Sequence, residues 1–260
     1  MDTFSRDMPG APCWVSLATH DLAAAEEFYR AVLGWEFRGS RLGEEFRVAL
    51  AGGEPVAGVG AVVARLGVPT AWTPYFAVGD ADVTAARIRE RGATMAVGPL
   101  ALPTGRAALA ADREGAVFGF WEGEVVPRWG TGRDGPVWVE LHARDPFAAA
   151  VFYGEVLGWA DERPGSLDVA YEQGHVVVRR GTRTVARIDA EAAEAAPDPQ
   201  ARPRWQVHFT VTDLDAVADR AVRHGGGIAS AVTTSAAHRR VTLRDWAGAL
   251  FAVTEATRRP

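Results

Sequence analysis

Residues 13–35 read CWVSLATHDLAAAEEFYRAVLGW, and residues 137–159 read VWVELHARDPFAAAVFYGEVLGW. The two stretches lie at a constant offset of 124, and 12 of their 23 positions are identical. A second pair lies at an offset of 133: WTPYFAVGDADV at 72–83 matches WQVHFTVTDLDA at 205–216, and DREGAVFGF at 112–120 matches DWAGALFAV at 245–253. This repetition indicates four copies of one supersecondary unit, in the order A, B, A′, B′.

Each unit opens with alternating apolar and polar residues, a pattern typical of a half-buried strand. An Asp follows each strand and predicts a helix start, because its carboxylate accepts hydrogen bonds from the unpaired backbone N–H groups of the first turn. These four residues are Asp21, Asp80, Asp145 and Asp213. A Gly ends each predicted helix, and three short strands follow. The sequence therefore predicts four βαβββ units.

The repeat also predicts the domain organisation. We expect a first half at 1–122 with modules at 13–64 and 72–122, a linker at 123–135, and a second half at 136–260 with modules at 136–189 and 205–255. A stretch rich in Ala and Pro at 190–204 separates the last two modules and predicts a further linker.

Composition excludes several functional classes. The 260-residue chain has a net charge of −5, no basic run and one cysteine, which argues against a nucleic-acid partner and against a disulfide framework. It contains no Lys, so Schiff-base chemistry is excluded. The N-terminus resembles no secretory signal and no membrane-spanning run occurs, so we expect a cytoplasmic protein with no membrane partner.

The repeated motif D-x-x-x-A-x-x-F-Y-x-x-V-L-G-W resembles the vicinal oxygen chelate superfamily over about 13–255. That family includes glyoxalase I, extradiol dioxygenases, and fosfomycin and bleomycin resistance proteins. The resemblance implies an α+β fold in which four βαβββ modules pair into two cupped mixed β-sheets with helices on the outside and a ligand in the cup. The tandem form most resembles glyoxalase-like proteins common in actinobacteria. Because it supplies the paired units in one chain, we expect a monomer or a homodimer.

The family's metal enzymes place a His, Gln or Glu ligand seven residues before the capping Asp, and a Glu four residues after the turn Gly of the last strand. The matching positions in this chain are Trp14, Thr73, Trp138, Gln206, Gly119 and Ala252. Trp, Thr, Gly and Ala cannot supply the imidazole or carboxylate that holds a divalent ion. The resemblance therefore implies that the familial metal site is absent, and we expect neither metal nor cofactor.

Strand alternation places Glu140, His142 and His208 on the cup face of two neighbouring strands in the second half. A carboxylate and a His at this spacing suit a general acid/base pair, so these three are our catalytic candidates. The same residues could contact a ligand without chemistry, hold a metal in a noncanonical triad, or only satisfy a polar wall.

Aromatic and neutral polar residues dominate the cup face of the first half. They suit stacking on a planar or apolar ligand, although the Trp side chains could instead fill the cup. The predicted ligand-binding residues of both halves are Trp14, Ser16, Thr73, Tyr75, Trp121, Trp138 and Gln206.

Three functions are compatible with these sequence features. The first is a metal-independent, glyoxalase-like protein that binds a small organic molecule, as the bleomycin resistance proteins do. The second is a metal-independent lyase, isomerase or hydrolase that uses Glu140 with His142 or His208. The third is a divergent metal-dependent glyoxalase or dioxygenase. In each case the expected partner is a small molecule, whose identity the sequence leaves open.

Overall fold

The computed structural model describes residues 9–126, 129–132, 135–159, 166–190, 202–235 and 238–256. Its helices are α1 (Leu22–Leu33), α2 (Val63–Leu66), α3 (Ala81–Glu90), α4 (Pro146–Leu157) and α5 (Leu214–Arg223). The strands before residue 124 are β1 (Pro12–Ala18), β2 (Glu36–Ser40), β3 (Gly43–Ala51), β4 (Glu54–Gly60), β5 (Ala71–Ala77), β6 (Thr94–Leu102), β7 (Gly105–Ala111) and β8 (Val117–Gly123). The later strands are β9 (Val137–Ala143), β10 (Asp168–Glu172), β11 (His175–Arg180), β12 (Arg183–Ala190), β13 (Arg204–Val211), β14 (Gly227–Ile228), β15 (Thr233–Thr234), β16 (His238–Arg244) and β17 (Leu250–Ala256).

The strands form two mixed sheets, which confirms the predicted α+β class. The first sheet has the order β2-β3-β4-β1-β5-β8-β7-β6, and the second has the order β10-β11-β12-β9-β13-β17-β16-β14 with β15 paired to β16. In both sheets the first strand of each module pairs in parallel with the last strand of the same module, and the outer pairs are antiparallel. Among the described helices, none is long and apolar enough to cross a membrane. The linker predicted at 190–204 lies mostly outside the described residues.

The predicted helix caps are confirmed. The carboxylates of Asp21, Asp80, Asp145 and Asp213 each accept a backbone N–H of the first helical turn. Pro146 occupies the first turn of α4, where its missing N–H costs no hydrogen bond. A left-handed Gly ends α1 and α4, because only a residue without a Cβ adopts that conformation without strain.

Packing divides the chain into two compact units, and each unit combines modules from both halves of the sequence. One unit comprises Met1–Trp14, Pro74–Arg133 and Val139–Trp205, and the other comprises Val15–Thr73, Asp134–Trp138 and Gln206–Pro260. We refer to them as the first and the second compact unit.

A buried hydrogen-bonded triad lies in the core of the first compact unit. The Tyr153 hydroxyl donates to Asp112 Oδ2 over 3.0 Å and accepts from Trp205 Nε1 over 2.8 Å. Asp112 Oδ1 also accepts two backbone N–H groups of the following turn. The triad therefore satisfies three polar side chains inside an aromatic core, where an unpaired polar group would be costly. The packed rings are Phe76, Phe118, Phe152, Tyr153, Trp159 and Trp205.

The second compact unit contains the equivalent triad. The Tyr29 hydroxyl donates to Asp245 Oδ2 over 2.9 Å and accepts from Trp72 Nε1 over 2.8 Å. The Tyr residues are related by the offset of 124, and the Trp and Asp residues by the offset of 133. The Tyr of the repeated F-Y motif is thus a structural residue whose hydroxyl joins three modules.

Candidate functional site

Polar side chains line one face of β9 and β12, which pair in parallel in the second sheet. The register places Arg187 opposite Glu140 and Asp189 opposite His142, so all four side chains lie on the same face. The alternate residues Leu141 and Ile188 are fully buried on the other face. Alternation along two adjacent strands therefore concentrates titratable groups on one face and apolar groups on the other.

These side chains form a compact group, which we call the carboxyl cluster: Glu140, His142, His175, Arg187 and Asp189. Glu140 Oε1 lies 3.9 Å from His142 Nε2. Asp189 Oδ1 accepts a hydrogen bond from Arg187 Nε over 2.7 Å and lies 4.0 Å from His175 Nδ1. Glu140 is only 3% exposed, whereas His142 and Asp189 are more accessible, with 22% and 16% of their side chains exposed. Solvent or a ligand thus reaches the group from the His142 and Asp189 side.

The Glu140 carboxyl lies close enough to the Asp189 carboxyl to act on its pKa. The two groups can hydrogen-bond to each other only when one of them holds a proton, because two carboxylates have no hydrogen to share. Burial and the neighbouring Glu140 carboxyl raise the pKa of Asp189 from 3.8 to about 6, against the opposing effect of Arg187. A carboxyl group with a pKa of about 6 can gain or lose a proton near neutral pH, which is the property expected of a general acid or base.

The first sheet carries no titratable group at the corresponding places. Ser16 and Ala18 replace Glu140 and His142 at the offset of 124, and the register of β1 with β4 puts Gly58 and Gly60 opposite them. Phe46 pairs with Gly60, and a Cβ at Gly60 would lie 2.9 Å from its ring. The Phe46 ring thus lies beside the place in the first sheet that corresponds to the carboxyl cluster of the second.

The aromatic residues predicted to bind ligand in the first half are half-buried. Trp14 packs on Trp129 with ring centroids 5.3 Å apart, and Trp121 donates its Nε1–H to the Glu124 carbonyl over 2.9 Å. Burial raises the pKa of Tyr75 to about 12, so its hydroxyl stays protonated at neutral pH. Ser16 is half-buried on β1, and Thr73 is buried on β5.

The remaining predicted residues lie in the second compact unit and are buried. Trp138, Gln206 and His208 are at most 8% exposed. His208 Nδ1 lies 3.3 Å from the Thr254 hydroxyl, and β9 and β13 are neighbours in the sheet, as predicted. The structure thus brings Glu140 and His142 together with three residues absent from the predicted catalytic set: His175, Arg187 and Asp189.

Known proteins resemble the chain over nearly its whole length. The profile of a glyoxalase-like domain matches residues 138–254, and that of a bleomycin resistance protein-like N-terminal domain matches residues 13–43. The anthracycline biosynthesis protein DauV of Streptomyces sp. (strain C5) is 32% identical, with 96% of this chain and 95% of DauV covered. DnrV of Streptomyces peucetius, also an anthracycline biosynthesis protein, is 33% identical over the same shares. The chain is a glyoxalase-like member of the vicinal oxygen chelate superfamily.

A solved structure shows the same superfamily fold. The Mn(II)-bound glyoxalase from Novosphingobium aromaticivorans superposes with a TM-score of 0.56 at 17% identity, covering 95% of this chain and 82% of that one. At this identity the likeness concerns the fold alone.

The residues present do not fit the metal site of the superfamily. Gly119, at the position of the last-strand Glu, pairs with Tyr75, and a Cβ at Gly119 would overlap the Tyr75 ring. Ala252 occupies the equivalent position of the second half and pairs with His208. Within the described ranges, no three His, Cys, Asp or Glu side chains are arranged to hold a metal ion. A carboxylate ligand cannot reach the first-half position unless Tyr75 moves away.

Proposed function

We propose that this protein is a metal-independent acid–base member of its family. In this proposal it binds a small planar organic molecule at the second sheet and transfers a proton to or from it. The observation that carries the proposal is the pair of carboxyl groups of Glu140 and Asp189, one deeply buried and one more accessible, on a sheet face that also carries Arg187. In this proposal the two carboxyl groups share one proton.

The pair suits proton abstraction for an electrostatic reason. At neutral pH the accessible Asp189 is largely ionised and can accept a proton, and the hydrogen bond to Glu140 then stabilises the protonated form. Arg187 balances the remaining negative charge through its Nε–H. His142 lies 3.9 Å from Glu140 and offers a second group for proton transfer. These roles suit an isomerase, a lyase or a hydrolase.

The names of the relatives support a ligand class. Two full-length relatives are described as anthracycline biosynthesis proteins, and anthracyclines are planar polycyclic aromatic molecules. We therefore propose an aromatic natural product as the ligand, with no nucleic-acid or membrane partner. That the protein is a monomer or a homodimer stays a prediction.

The base can be tested without knowing the substrate. The ring opening of 5-nitrobenzisoxazole needs only a positioned base and a site for a planar aromatic molecule. We expect a rate that rises with pH through a midpoint near pH 6 and that a metal chelator leaves unchanged. Asp189→Asn removes the base and should lower this rate by roughly 100- to 10,000-fold, the usual contribution of a general base. Glu140→Gln should also lower the rate, because it removes the carboxyl group that stabilises the protonated form of Asp189.

A matched control is Glu172→Gln, the same substitution at a more exposed carboxylate of the second sheet, where Arg179 binds it. This variant should keep the wild-type rate. Wild-type rates in folded Glu140→Gln and Asp189→Asn proteins would contradict the proposal.

Ligand binding without chemistry is a second candidate function. It is favoured by the packed indoles of Trp14 and Trp129 and by the match of residues 13–43 to the bleomycin resistance protein-like profile. Titration of tryptophan fluorescence with a hydroxyanthraquinone tests it. A Trp14→Ala variant should bind more weakly, and saturable binding without any Glu140-dependent turnover would favour this candidate over the first.

A further inference from the structure

Arg187 uses only part of its hydrogen-bonding capacity. A guanidinium carries five N–H donors in a planar fork. Arg187 directs Nε to Asp189 Oδ1 over 2.7 Å, and 26% of its side chain is exposed. Among the residues that the structure describes, no acceptor bonds its two terminal nitrogens. The end of the fork is therefore available to a molecule that reaches this sheet face.

A neighbouring arginine shows the contrasting arrangement. Arg179, on β11 of the same sheet, directs both terminal nitrogens to the two carboxylate oxygens of Glu172, each over 2.7 Å. That bidentate pair occupies the part of the fork that Arg187 leaves open. Asp189 instead holds Arg187 side-on through Nε, which orients the guanidinium while leaving its terminal N–H groups unused.

The charge of the carboxyl cluster depends on the proton shared by the two carboxyl groups. With that proton in place, the pair carries one negative charge, which Arg187 balances. Without it the pair carries two negative charges beside the guanidinium. The groups that face Asp189 are Glu140 and His142 on β9, His175 on β11, and Arg187 on its own strand. Losing the proton therefore makes the cluster repel anions, and gaining it removes that repulsion.

We propose that Arg187 recognises a carboxylate group of the ligand through its two terminal nitrogens, and that this carboxylate binds more weakly when both carboxyl groups beside the guanidinium are ionised. A planar carboxylate matches the open fork in shape and charge. The proposal rests on the proposed function, because it names the ligand chemistry of the same sheet face. It assigns Arg187 to substrate recognition and leaves proton transfer to the carboxyl pair.

The coupling between carboxylate binding and proton binding sets the size of the pH dependence of affinity. A ligand that binds only the protonated pair has an affinity proportional to the protonated fraction. With a midpoint near pH 6, that fraction falls from roughly 0.9 near pH 5 to about 0.01 near pH 8. The apparent affinity for a carboxylate should therefore fall by roughly 100-fold over this interval.

The probe is benzoate, which stays ionised over this range, and its neutral control is benzamide, which has nearly the same shape. Calorimetric titration should give benzoate binding that weakens by roughly 10- to 100-fold from near pH 5 to near pH 8 and takes up a proton near pH 7. Benzamide should show no pH dependence. Asp189→Asn fixes the charge of the protonated pair, so it should keep benzoate binding and lose the pH dependence.

Arg187→Gln should abolish the preference for benzoate over benzamide, and Arg187→Lys should weaken benzoate binding by roughly 10-fold because Lys keeps the charge without the fork. Arg179→Gln is the matched control and should bind as wild type. Absence of benzoate binding near pH 5, pH-independent binding, or wild-type binding by a folded Arg187→Gln protein would overturn the inference. Ring opening of 5-nitrobenzisoxazole is measured on the same preparations. It reports the carboxyl pair independently of anion recognition, so it separates a failure of the proposed function from a failure of anion recognition by Arg187.

Discussion

Replacing Asp189 by Asn removes a carboxyl group that folding places partly out of water beside a second carboxyl. Folding raises its pKa from 3.8 to about 6. A tenfold change in proton affinity corresponds to ~1.4 kcal/mol, so ionised Asp189 destabilises the folded protein by about 3 kcal/mol well above pH 6. Its side chain is only 16% exposed, so solvent screens little of this cost.

The direction in which stability changes with pH follows from whether the folded or the unfolded state binds the proton more tightly. Between pH 3.8 and about pH 6 the folded protein holds more protons on Asp189 than the unfolded chain does. The stability linked to this proton is fully present below pH 3.8 and is lost as pH rises through about 6. About 1 kcal/mol of that loss falls between pH 5 and pH 8. Because Asn cannot ionise, Asp189→Asn should gain about 1 kcal/mol relative to wild type over that interval.

Urea unfolding of both proteins at several pH values between about 5 and 8 measures the difference. Asp215→Asn is the matched control, because Asp215 also binds an Arg but its pKa is lowered by Arg239, so it stays ionised throughout this range. Its stability difference from wild type should not change with pH. If the difference in free energy of unfolding between Asp189→Asn and wild type is also constant with pH, the shared proton is refuted.

Three further changes test other parts of the structure. Tyr153→Phe and Tyr29→Phe should each lower the free energy of unfolding by about 2–4 kcal/mol, because a buried indole N–H and a carboxylate lose their shared hydroxyl; losses under about 0.5 kcal/mol in urea unfolding would contradict the structural role. Gly119→Ala should cost about 1–3 kcal/mol by pushing the Tyr75 ring aside, and in a Tyr75→Ala background the same change should be nearly neutral. Cys13 is 3% exposed with a pKa raised to about 12, so the folded protein should react with a thiol reagent far more slowly than the urea-unfolded chain; equal rates would place the thiol at the surface.

The fold was predictable because the repeated residues include those at helix ends, where the backbone conformation restricts which residue types fit. Each capping Asp and each helix-ending Gly follows from local chemistry, and the two offsets align modules that later proved equivalent. The combination of modules within each compact unit was not predictable in the same way. It depends on hydroxyls such as that of Tyr153, which meets Trp205 and Asp112 far away in the sequence.

The site was predictable in part. Alternation along β9 identified Glu140 and His142, but it could not identify the residues beside them. Arg187 and Asp189 lie on the last strand of the module, where the repeat is weak and a first-strand motif gives no guidance. A signal was nevertheless present: Arg187-Ile188-Asp189 alternates as Glu140-Leu141-His142 does, and parallel pairing of these two strands aligns them residue by residue.

Acid–base chemistry at the carboxyl cluster depends most directly on one proton held between Glu140 and Asp189. Infrared difference spectroscopy detects it, because the carbonyl stretch of a protonated carboxyl is distinct from the bands of a carboxylate. We expect a protonated-carboxyl band in the wild-type protein that disappears with a midpoint near pH 6, and that is missing from both Glu140→Gln and Asp189→Asn above pH 5. A wild-type protein with no such band between about pH 5 and pH 6, or a band that both variants retain, would contradict the account.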